Sequence, residues 1–365
     1  MRTRNALILT SLVTAFFGVF FLFPVVMVIK EAFVTKEGGF TFAYVIEVFA
    51  NPVYLEGIWN ALLLGVTSTL ASLLIAFPLA LLAHRYRFPL KGPLSALILI
   101  PLVLPPFVGA VGVKQMLGAK GSLNAFLEKL DLMDPSAPID WLGEGRFLGI
   151  VIMNALHLYP ILYMNIAASL SHLDPAMEEA AQNLGCSPWR RLRRITLPLT
   201  MPGIFAGGAI VFIWSFTELG VPLVFDYARV APVQIYDGIK DLSSNPFPYA
   251  LVAVMLVISS TVFLASKALL GRSRLGSAPR PKGHQCERLL GGVKGFLVMG
   301  VFLAVFLVAS LPHLGVIFLS VATDWYGSIL PEGMTSAHYE EALEHQQKAL
   351  ALRVVAHGEA HPNIT

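Results

Sequence analysis

Charged residues are scarce in this chain. Only 13% of its 365 residues are charged, whereas 56% are hydrophobic and the mean hydropathy is +0.69. A soluble domain usually carries about 25% charged residues, so the composition excludes an ordinary soluble fold and predicts an integral membrane protein. The net charge is a modest +3, and we expect no nucleic-acid partner.

Cysteine is also rare, since only Cys186 and Cys286 are present. Two cysteines so far apart in the sequence provide neither a disulfide framework nor metal-ligand spacing. We interpret both as incidental residues of cytoplasmic segments, and we expect neither a metal site nor a cofactor.

A nucleotide-binding loop is absent from the sequence as well. The pattern would be G-x-x-x-x-G-K-[ST], and the nearest string, "LGAKGSLN" at 117–124, has the wrong spacing. No nucleophile or metal-ligand pattern supports an enzyme embedded in the membrane either. The chain is therefore predicted not to be an enzyme, and ATP hydrolysis would belong to another subunit.

Long apolar runs, by contrast, are abundant. A spanning helix needs about 20 predominantly apolar residues, and seven runs meet this length. The first run follows Arg2 and Arg4 but is too long for a signal peptide, and Pro24 with Lys30 makes a poor cleavage site, so we predict a retained span. We expect an all-α polytopic fold with one peripheral span and five or six core spans; the predicted spans are 6–29, 58–83, 94–117, 147–170, 203–225, 249–270 and 293–321.

Basic residues follow the second, fourth and sixth predicted spans, and acidic residues dominate the loops between them. By the positive-inside rule, the N-terminus and the basic loops are cytoplasmic, and seven spans then predict a C-terminus outside. The basic residues are Arg85, Arg87 and Lys91, then Arg190, Arg191, Arg193 and Arg194, then Arg272, Arg274, Arg280, Lys282 and Arg288; the acidic residues are Glu128, Asp131, Asp134, Asp140, Glu144, Asp226, Asp237 and Asp241.

The loop after the fourth span contains an ordered charged stretch, "MEEAAQNLGCSPWRRLRRITLPL". Asp174 and Ser187 are each followed by proline, which is a helix-start signal, and Gly185 between them is a stop signal. We predict two short helices, which Pro198 and Pro202 close before the fifth span.

Two capped helices joined by a glycine turn make a rigid knob. The knob carries an apolar stripe at Trp189, Leu192 and Ile195, and Glu178 and Glu179 lie near its first helix start. Such a knob suits docking into a groove of a soluble partner. The alternative is an amphipathic loop whose arginines anchor it to anionic lipid headgroups.

The same stretch resembles the EAA signature of the membrane subunits of binding-protein-dependent ABC importers. In that family this loop, here 171–201, is a coupling helix that sits in a cleft of a cytoplasmic ATPase subunit. The resemblance implies that Glu179 pairs with a basic residue of the ATPase and that Gly185 makes the turn. It also implies that the two alanines allow close approach; the matching residues are Glu179, Ala180, Ala181, Gly185, Ile195, Leu197 and Pro198.

The resemblance extends to "NALLLGVTSTLASLLIAFPLALLAHRYRFP" and "LILIPLVLPPFVGAVGVKQMLG", and it covers about residues 1–340. It implies a type I ABC importer permease core in the bacterial inner membrane. The implied partners are a cytoplasmic ABC ATPase, an extracytoplasmic substrate-binding protein, membrane lipid, and a second permease half or a second copy in a homodimer. The chain most resembles iron(III) permeases, with phosphonate, thiamine and polyamine permeases close behind, so the expected cargo is iron(III) or a related small ion or solute.

Ionisable groups at membrane depth are costly and usually face a pathway or a partner. We predict that Glu218 and Lys114 pair or line the outer half of the translocation path. The alternatives are another structural partner for Glu218 and snorkelling of Lys114 to the interface. Asn154 and His157 are further path candidates in the fourth span, where hydrogen-bonded packing is the alternative for the histidine.

Three prolines interrupt the third predicted span. Pro101, Pro105 and Pro106 remove backbone donors, and freed backbone at membrane depth is tolerated only where protein or a water-filled cavity satisfies it. We therefore predict that this span is a candidate gate.

The start of the chain recurs near its end. "FLFPVVMVIKEAFVTKEGGFTFAYVIEVF" resembles "FLVASLPHLGVIFLSVATDWYGSILPEGMTSAHYEEAL" as an apolar span, a short extracellular stretch, and a threonine, Thr41 or Thr335, before a helix start. Permeases of the iron(III) type commonly fuse two halves in one chain. We therefore divide the chain into a permease half (1–270), a basic cytoplasmic linker (271–292), the first span of an incomplete second half (293–338) and a helical tail (339–365).

The tail resembles part of a tetratricopeptide repeat of the kinesin-light-chain kind. One partial repeat cannot bury a core, because such repeats need neighbours. We interpret the chain as a truncated or joined gene product; a half that homodimerises and a membrane-anchored interaction protein that uses its tail are alternatives. The matching residues are Tyr339, Ala342, Leu343, Ala349, Leu350, Gly358, His361 and Pro362.

Overall fold

The computed structural model describes residues 2–35, 37–143, 146–239, 246–272 and 287–357, with the backbone alone at 2–4, 269–272 and 351–357. Several predictions fall outside these residues. They concern Cys286, most of the linker at 271–292, the acidic residues Glu144 and Asp241, and the tail residues Gly358, His361 and Pro362.

The described chain is helical almost throughout, which confirms the all-α prediction. Its helices are interrupted by π-helical turns at Gly18–Leu22 and Leu192–Thr196 and by a 3₁₀ turn at Ile100–Leu102. The helices are α1 (Arg2–Phe17), α2 (Phe23–Ala32), α3 (Ala43–Ala50), α4 (Pro52–Arg85), α5 (Lys91–Leu97), α6 (Pro106–Leu117), α7 (Ser122–Lys129), α8 (Phe147–Ser171), α9 (Pro175–Asn183), α10 (Pro188–Arg191), α11 (Leu197–Phe216), α12 (Gly220–Val224), α13 (Ala231–Ile239), α14 (Phe247–Arg272), α15 (Gly292–Val321) and α16 (Ala337–His357).

Six helical stretches of the described chain are long and apolar enough to cross a membrane, or seven if one sharply bent pair counts as a span. The bent pair corresponds to the predicted third span at 94–117. That span is not continuous, because proline lacks the N–H that an uninterrupted helix needs, and the break falls between Leu102 and Pro106. The six are Asn5–Ala32, Pro52–Arg85, Phe147–Ser171, Pro188–Val224, Phe247–Ala268 and Gly292–Val321.

The chain divides into two compact units, Met1–Pro106 with Gly145–Ala309 and Phe107–Glu144 with Ser310–Thr365. In the first unit, α4, α8 and α11 pack against one another. Glycines allow the close approach of α11 to α8, since a Cβ on Gly203 would lie 2.3 Å from the carbonyl oxygen of Asn165. Small residues commonly permit such contacts between membrane helices.

A second apolar cluster of the first unit joins α14 to α4 and α11, through buried residues that include Phe212, Phe216 and Leu251. Only the end of the first span reaches this cluster, at the buried Ala32. The apolar window of Asn5–Ala32 has no buried residue, which confirms one peripheral span.

The first unit also holds the start of α15. The strands β1 (Tyr86–Arg87) and β2 (Arg288–Leu289) pair in parallel, and Lys91 forms an ion pair with Glu287 at 2.8 Å. Phe302 of α15 is fully buried. The backbone just before α15 is thus tied to the loop that follows α4.

The second unit is built from α6, α7, the end of α15 and α16. A buried amide organises the loop after α7, because Asn124 donates to the carbonyl of Ile139 at 2.7 Å and accepts from the indole of Trp141 at 2.5 Å. A Cβ on Gly112 of α6 would lie 2.3 Å from the carbonyl oxygen of Pro312, so only glycine fits this crossing of α6 and α15.

The loops after α2 and after α15 share one hydrogen-bond pattern. Each has an antiparallel bridge, a threonine N–H that bonds to a glycine carbonyl, and a second threonine whose hydroxyl caps the next helix. In the first loop the bonds run from Thr35 to Gly39, from Thr41 to Phe33 and from Ala43 to the Thr41 hydroxyl; in the second they run from Thr323 to Gly333, from Thr335 to Val321 and from Ala337 to the Thr335 hydroxyl.

Candidate functional site

The charged segment 171–201 begins as the sequence predicts. The Asp174 carboxylate accepts from the Ala176 N–H at 3.0 Å and starts α9, and the Ser187 hydroxyl accepts from the Arg190 N–H at 3.4 Å and starts α10. Gly185 between them has φ +72°, a left-handed conformation that glycine adopts at little cost. Both predicted helix starts and the glycine turn are confirmed.

The predicted end of this segment is wrong. Pro198 and Pro202 do not close the second helix, because α10 continues through a π-helical turn into α11. In that turn the Leu197 N–H bonds to the carbonyl of Leu192, five residues back, so the backbone is already rearranged where Pro198 lacks a donor. Pro202 lies inside α11. The charged segment is therefore continuous with a spanning helix.

The matched signature residues differ in their exposure. Glu179, Ala180, Gly185 and Pro198 are exposed, whereas Ala181, Ile195 and Leu197 are half-buried. Two large apolar side chains of the same segment also face outward, Leu184 at 87% exposure and Trp189 at 69%. The outer face of this segment thus combines a carboxylate, a small residue and two apolar side chains.

Glu178, the neighbour of Glu179, faces the protein instead. Its carboxylate forms an ion pair with Arg85 at 2.8 Å and accepts from the Thr196 hydroxyl at 2.5 Å. Arg85 also donates to the Thr196 hydroxyl at 3.0 Å, and the Arg191 Nε lies 3.8 Å from the second carboxylate oxygen. Three side chains, from α4, α10 and the π-helical turn, therefore meet at one carboxylate of α9.

This environment changes the acidity of Glu178. Burial by itself raises the pKa of the carboxyl, but the hydrogen bond from Thr196, the hydrogen bond and charge of Arg85, and the charge of Arg191 outweigh it. The net result is a pKa below the usual value of 4.5. Glu178 is thus held as a carboxylate by its partners.

Sequence reasoning missed this group. It used Arg85 only as a marker of membrane orientation and Glu178 only as an acid near a helix start, and it gave Thr196 no role. The available signal was an arginine at the end of an apolar span together with two adjacent acids in the charged loop. The family signature accounts for only one of these acids, Glu179, and leaves Glu178 without a role.

The buried path candidates lie on α8 and beside α11. His157 Nδ1 lies 2.8 Å from the carbonyl oxygen of Pro101, and the Tyr159 hydroxyl donates to the carbonyl of Ile98 at 2.6 Å. The backbone that the prolines release in the third span is therefore satisfied by side chains of α8, one of which is the candidate His157.

Trp214 connects His157 with Glu218. The His157 and Trp214 rings have centroids 5.9 Å apart, and the Trp214 side chain hydrogen-bonds to the Glu218 carboxyl. Glu218 is 8% exposed and also accepts from the N–H groups of Gly220 and Val221 at 3.0 and 3.2 Å. The Glu218 carboxylate thus caps the start of α12. Trp214, like Thr196, is a residue to which sequence reasoning gave no role.

The other two candidates differ in environment. Asn154 is 1% exposed, and its Nδ2 has no hydrogen-bond partner among the described residues. Lys114 belongs to α6 in the second unit, where its side chain is exposed. The pairing of Lys114 with Glu218 stays a prediction.

Comparison with known proteins agrees with this architecture. Residues 76–275 match the family described as binding-protein-dependent transport system inner membrane component. The spermidine/putrescine permease PotB of Haemophilus influenzae is 28% identical over 263 residues, which cover 69% of this chain and 91% of that protein. The molybdenum permease ModB of the same species is 30% identical over 220 residues, which cover 58% of this chain and 91% of that protein.

Solved structures give the same fold. A bacterial ABC transporter involved in import of the polysaccharide alginate matches with a TM-score of 0.59 at 18% identity, and the match covers 74% of this chain and 97% of that one. The same kind of alginate transporter in complex with a pentasaccharide-bound periplasmic protein matches with a TM-score of 0.58 at 19% identity, over 76% of this chain and 98% of that one. The chain therefore belongs to the inner membrane components of binding-protein-dependent transport systems, the permease subunits of ABC importers, which are not enzymes themselves and work with a separate ATPase.

Proposed function

We propose that the outer face of the segment 171–201 docks into a cytoplasmic ABC ATPase. The observation that carries this proposal is that two adjacent acids of α9 face different ways. Glu178 is held inside by Arg85, whereas Glu179 is exposed. An exposed carboxylate beside the small Ala180 and the apolar Leu184 and Trp189 suits a groove with a basic residue at its edge.

The docked segment is well suited to pass on movement of the ATPase. Its second helix is continuous with α11 through the π-helical turn, and a continuous helix moves largely as one element. Closure of two ATPase subunits on ATP would therefore tilt α11 and the spans that pack on it. We also propose that the N-terminus lies in the cytoplasm and the C-terminus outside, and the distribution of basic loops supports this orientation.

The test uses the native thiol Cys186, which is free and partly exposed next to the Gly185 turn. In a Cys286→Ser background, the full chain is purified from membranes with and without its ATPase subunit, and labelling by a maleimide is timed. Docking is expected to slow the labelling of Cys186. Glu179→Arg is expected to abolish both the protection and the co-purification of the ATPase.

A matched charge reversal provides the control. Glu344→Arg changes an exposed acid of α16 whose ion pair with Lys348 is also exposed, so it should leave labelling unchanged. If Glu179→Arg also keeps the ATPase and the protection, Glu179 is not a docking residue and the proposal fails.

For the cargo we propose iron(III) or a related small ion or solute, delivered by an extracytoplasmic binding protein. The relatives PotB and ModB are named for spermidine/putrescine and molybdenum, so these are the competing cargoes. Uptake of iron(III), spermidine and molybdate by cells with and without this gene distinguishes the three. Loss of iron(III) uptake alone supports the proposal, whereas loss of either other uptake replaces it.

The path candidates Glu218, Asn154, His157 and Lys114 remain part of this proposal. Glu218 is the sharpest test, because its carboxylate is buried at a polar junction with Trp214. Glu218→Gln keeps the size and removes the charge. Unchanged uptake in this variant would mean that the residue only caps α12.

We further propose that residues 293–338 begin a second permease half after the linker 271–292. The matching loops at Thr41 and Thr335 support this division, since both reproduce one hydrogen-bond pattern. A working importer would then take its second half from another chain or a second copy, which the mass of the purified complex in lipid nanodiscs would distinguish.

The tail 339–365, with its likeness to a tetratricopeptide repeat, is proposed to have no part in ATPase docking. Its described side chains at 339–350 are exposed, as expected of a repeat without neighbours. Deletion of 339–365 should leave the ATPase bound. Loss of the ATPase would instead support an interaction protein that works through its tail.

A further inference from the structure

We propose that Glu178 and Arg85 form a latch that fixes the docking segment to α4, so that α4 moves together with the ATPase-facing helix. This inference rests on the proposed docking of the segment 171–201. It assigns Glu178 a positioning role that is separate from the docking role of Glu179.

The latch joins parts of the chain that the backbone does not join directly. Arg85 is the last residue of α4, and Glu178 lies on α9, in the loop between two other spans. The 2.8 Å contact between their side chains is closed into a triangle by Thr196, which donates to Glu178 at 2.5 Å and accepts from Arg85 at 3.0 Å. Since Thr196 ends the π-helical turn before α11, the triangle ties α9 to two spans.

The helix α9 is held largely by polar contacts, which also include a bond from Arg191 to Gln182 at 3.2 Å. None of its nine residues, all of which the structure describes, is buried. A helix with no fully buried residue gains little stability from apolar packing, so its position depends mainly on its polar contacts and its two ends. The carboxylate of Glu178 connects α9 to α4 through its 2.8 Å contact with Arg85.

This ion pair differs from an ordinary surface pair. The Arg85 and Glu178 side chains are 18% and 23% exposed, and Thr196 is fully buried. Exposed pairs contribute little because water screens them and the side chains lose entropy, whereas a partly buried carboxylate with several charge-assisted bonds is held more strongly. The latch therefore has the strength to keep α9 in register with α4.

The latch changes which membrane helices follow a movement of the docking segment. Without the latch, movement of the docking face would reach the membrane only through the chain connections of the segment to α8 and α11. With it, the same movement also pulls on α4, which packs against both α8 and α11. All three central helices of the first unit then respond together.

The experiment measures the distance between α9 and α4 in the full chain by electron–electron double resonance. Spin labels are attached at Asn183→Cys and Leu74→Cys, both exposed positions, after Cys186→Ser and Cys286→Ser. In nanodiscs, with the ATPase subunit and either ADP or an ATP analogue, the parent should give one narrow distance in both states. Glu178→Gln and Arg85→Gln should each raise the population outside that distance about tenfold, the factor for losing one charge-assisted hydrogen bond.

The control is Arg193→Gln, which removes one exposed charge from the same segment and should leave the distance unchanged. If Glu178→Gln does not accumulate, Thr196→Val replaces it, because that change removes the hydroxyl at almost constant volume. A broad distance in the parent, or a narrow one in both latch variants, overturns the latch.

The result is separable from the proposed docking. Glu178→Gln should still bind the ATPase, because Glu179 is untouched, and loss of the ATPase in this variant would overturn the positioning role. Conversely, Glu179→Arg should leave the distance unchanged when the ATPase is omitted. Failure of docking therefore appears in co-purification, and failure of the latch appears in the distance.

Discussion

Glu178 and Glu179 are adjacent in α9, yet their carboxylates serve opposite sides of the helix. Glu178 pairs with Arg85 at 2.8 Å inside the protein, whereas Glu179 is exposed. Adjacent residues of a helix point about 100° apart, so one pair of acids can hold an element with one member and present a charge with the other. The predictions below concern this segment and the helices that support it.

The stability contributed by Glu178 should depend on pH. Its pKa is lowered by Thr196, Arg85 and Arg191 despite burial, and His84 is a further charge neighbour. A lowered folded pKa means that the contribution is complete above the unfolded value of 4.5 and is lost as the pH falls through the folded pKa. Glu178→Gln should therefore cost about 1.5–3 kcal/mol at neutral pH, and the cost should shrink as the pH is lowered below 4.5. Thermal unfolding in detergent over a series of pH values measures this, and a cost that does not change with pH would contradict it.

Gly185→Ala should destabilise the turn between α9 and α10. The residue has φ +72°, and an added Cβ would meet no atom within 4 Å, so the cost is backbone strain alone, about 1–2 kcal/mol. Asparagine tolerates this conformation better, and Gly185→Asn should recover part of the loss. Gly300→Ala is the control, because its Cβ also meets nothing and its φ is ordinary; an unfolding midpoint lowered equally in both variants would refute the explanation.

Tyr159→Phe should loosen the broken third span. The change removes the hydroxyl that donates to the Ile98 carbonyl at 2.6 Å, and Tyr159 is fully buried. A buried carbonyl without a donor costs about 1–3 kcal/mol. Tyr54→Phe, at a half-buried tyrosine whose ring packs against Phe247, keeps that contact and should change the unfolding midpoint little. Equal stability of the Tyr159 variant and the parent would mean that another donor replaces the hydroxyl.

Gly112→Ala should separate α6 from α15 within the second unit. The added Cβ would lie 2.3 Å from the Pro312 carbonyl oxygen and 2.9 Å from the Val316 nitrogen. Both are backbone atoms that cannot rotate away, so overpacking should cost about 1–3 kcal/mol. Gly92→Ala, whose Cβ meets nothing within 4 Å, serves as the matched variant in thermal unfolding. Wild-type stability of Gly112→Ala would show that the two helices do not cross this closely.

Features set by near neighbours in the chain could be predicted from the sequence. Asp174, Ser187 and Gly185 act on the backbone within three residues, so their signals are complete in a short stretch. Apolar run length likewise predicted the spans, since the thickness of the bilayer sets it.

Features set by distant partners could not be predicted. The Arg85–Glu178 bond joins residues 93 positions apart, and the His157–Pro101 bond joins residues 56 apart. Nothing in the composition of either segment indicates which charge faces which. Glu179, the proposed docking residue, was named by a family signature, whereas its neighbour Glu178, which has the stronger contacts, was not.

One local rule also failed for a physical reason. Pro198 and Pro202 predicted a helix end, but the π-helical turn lets the Leu197 N–H bond to the carbonyl of Leu192, one residue further back than in an α-helix. Pro198 then falls early in α11, where a missing donor is tolerated, whereas Pro202 lies inside that helix. A rule about single residues cannot anticipate such a shift in the hydrogen-bond ladder.

The paired threonine loops have a practical meaning for engineering. In the first loop three positions, 36–38, separate Thr35 from Gly39, and in the second nine positions, 324–332, separate Thr323 from Gly333. Both loops are nevertheless closed by the same pattern of hydrogen bonds. Insertions between the fixed ends are therefore compatible with the closure, because the cost of lengthening a loop grows slowly. We therefore expect the shorter loop to accept an inserted epitope or fluorescent reporter while the bonds at its two ends are kept.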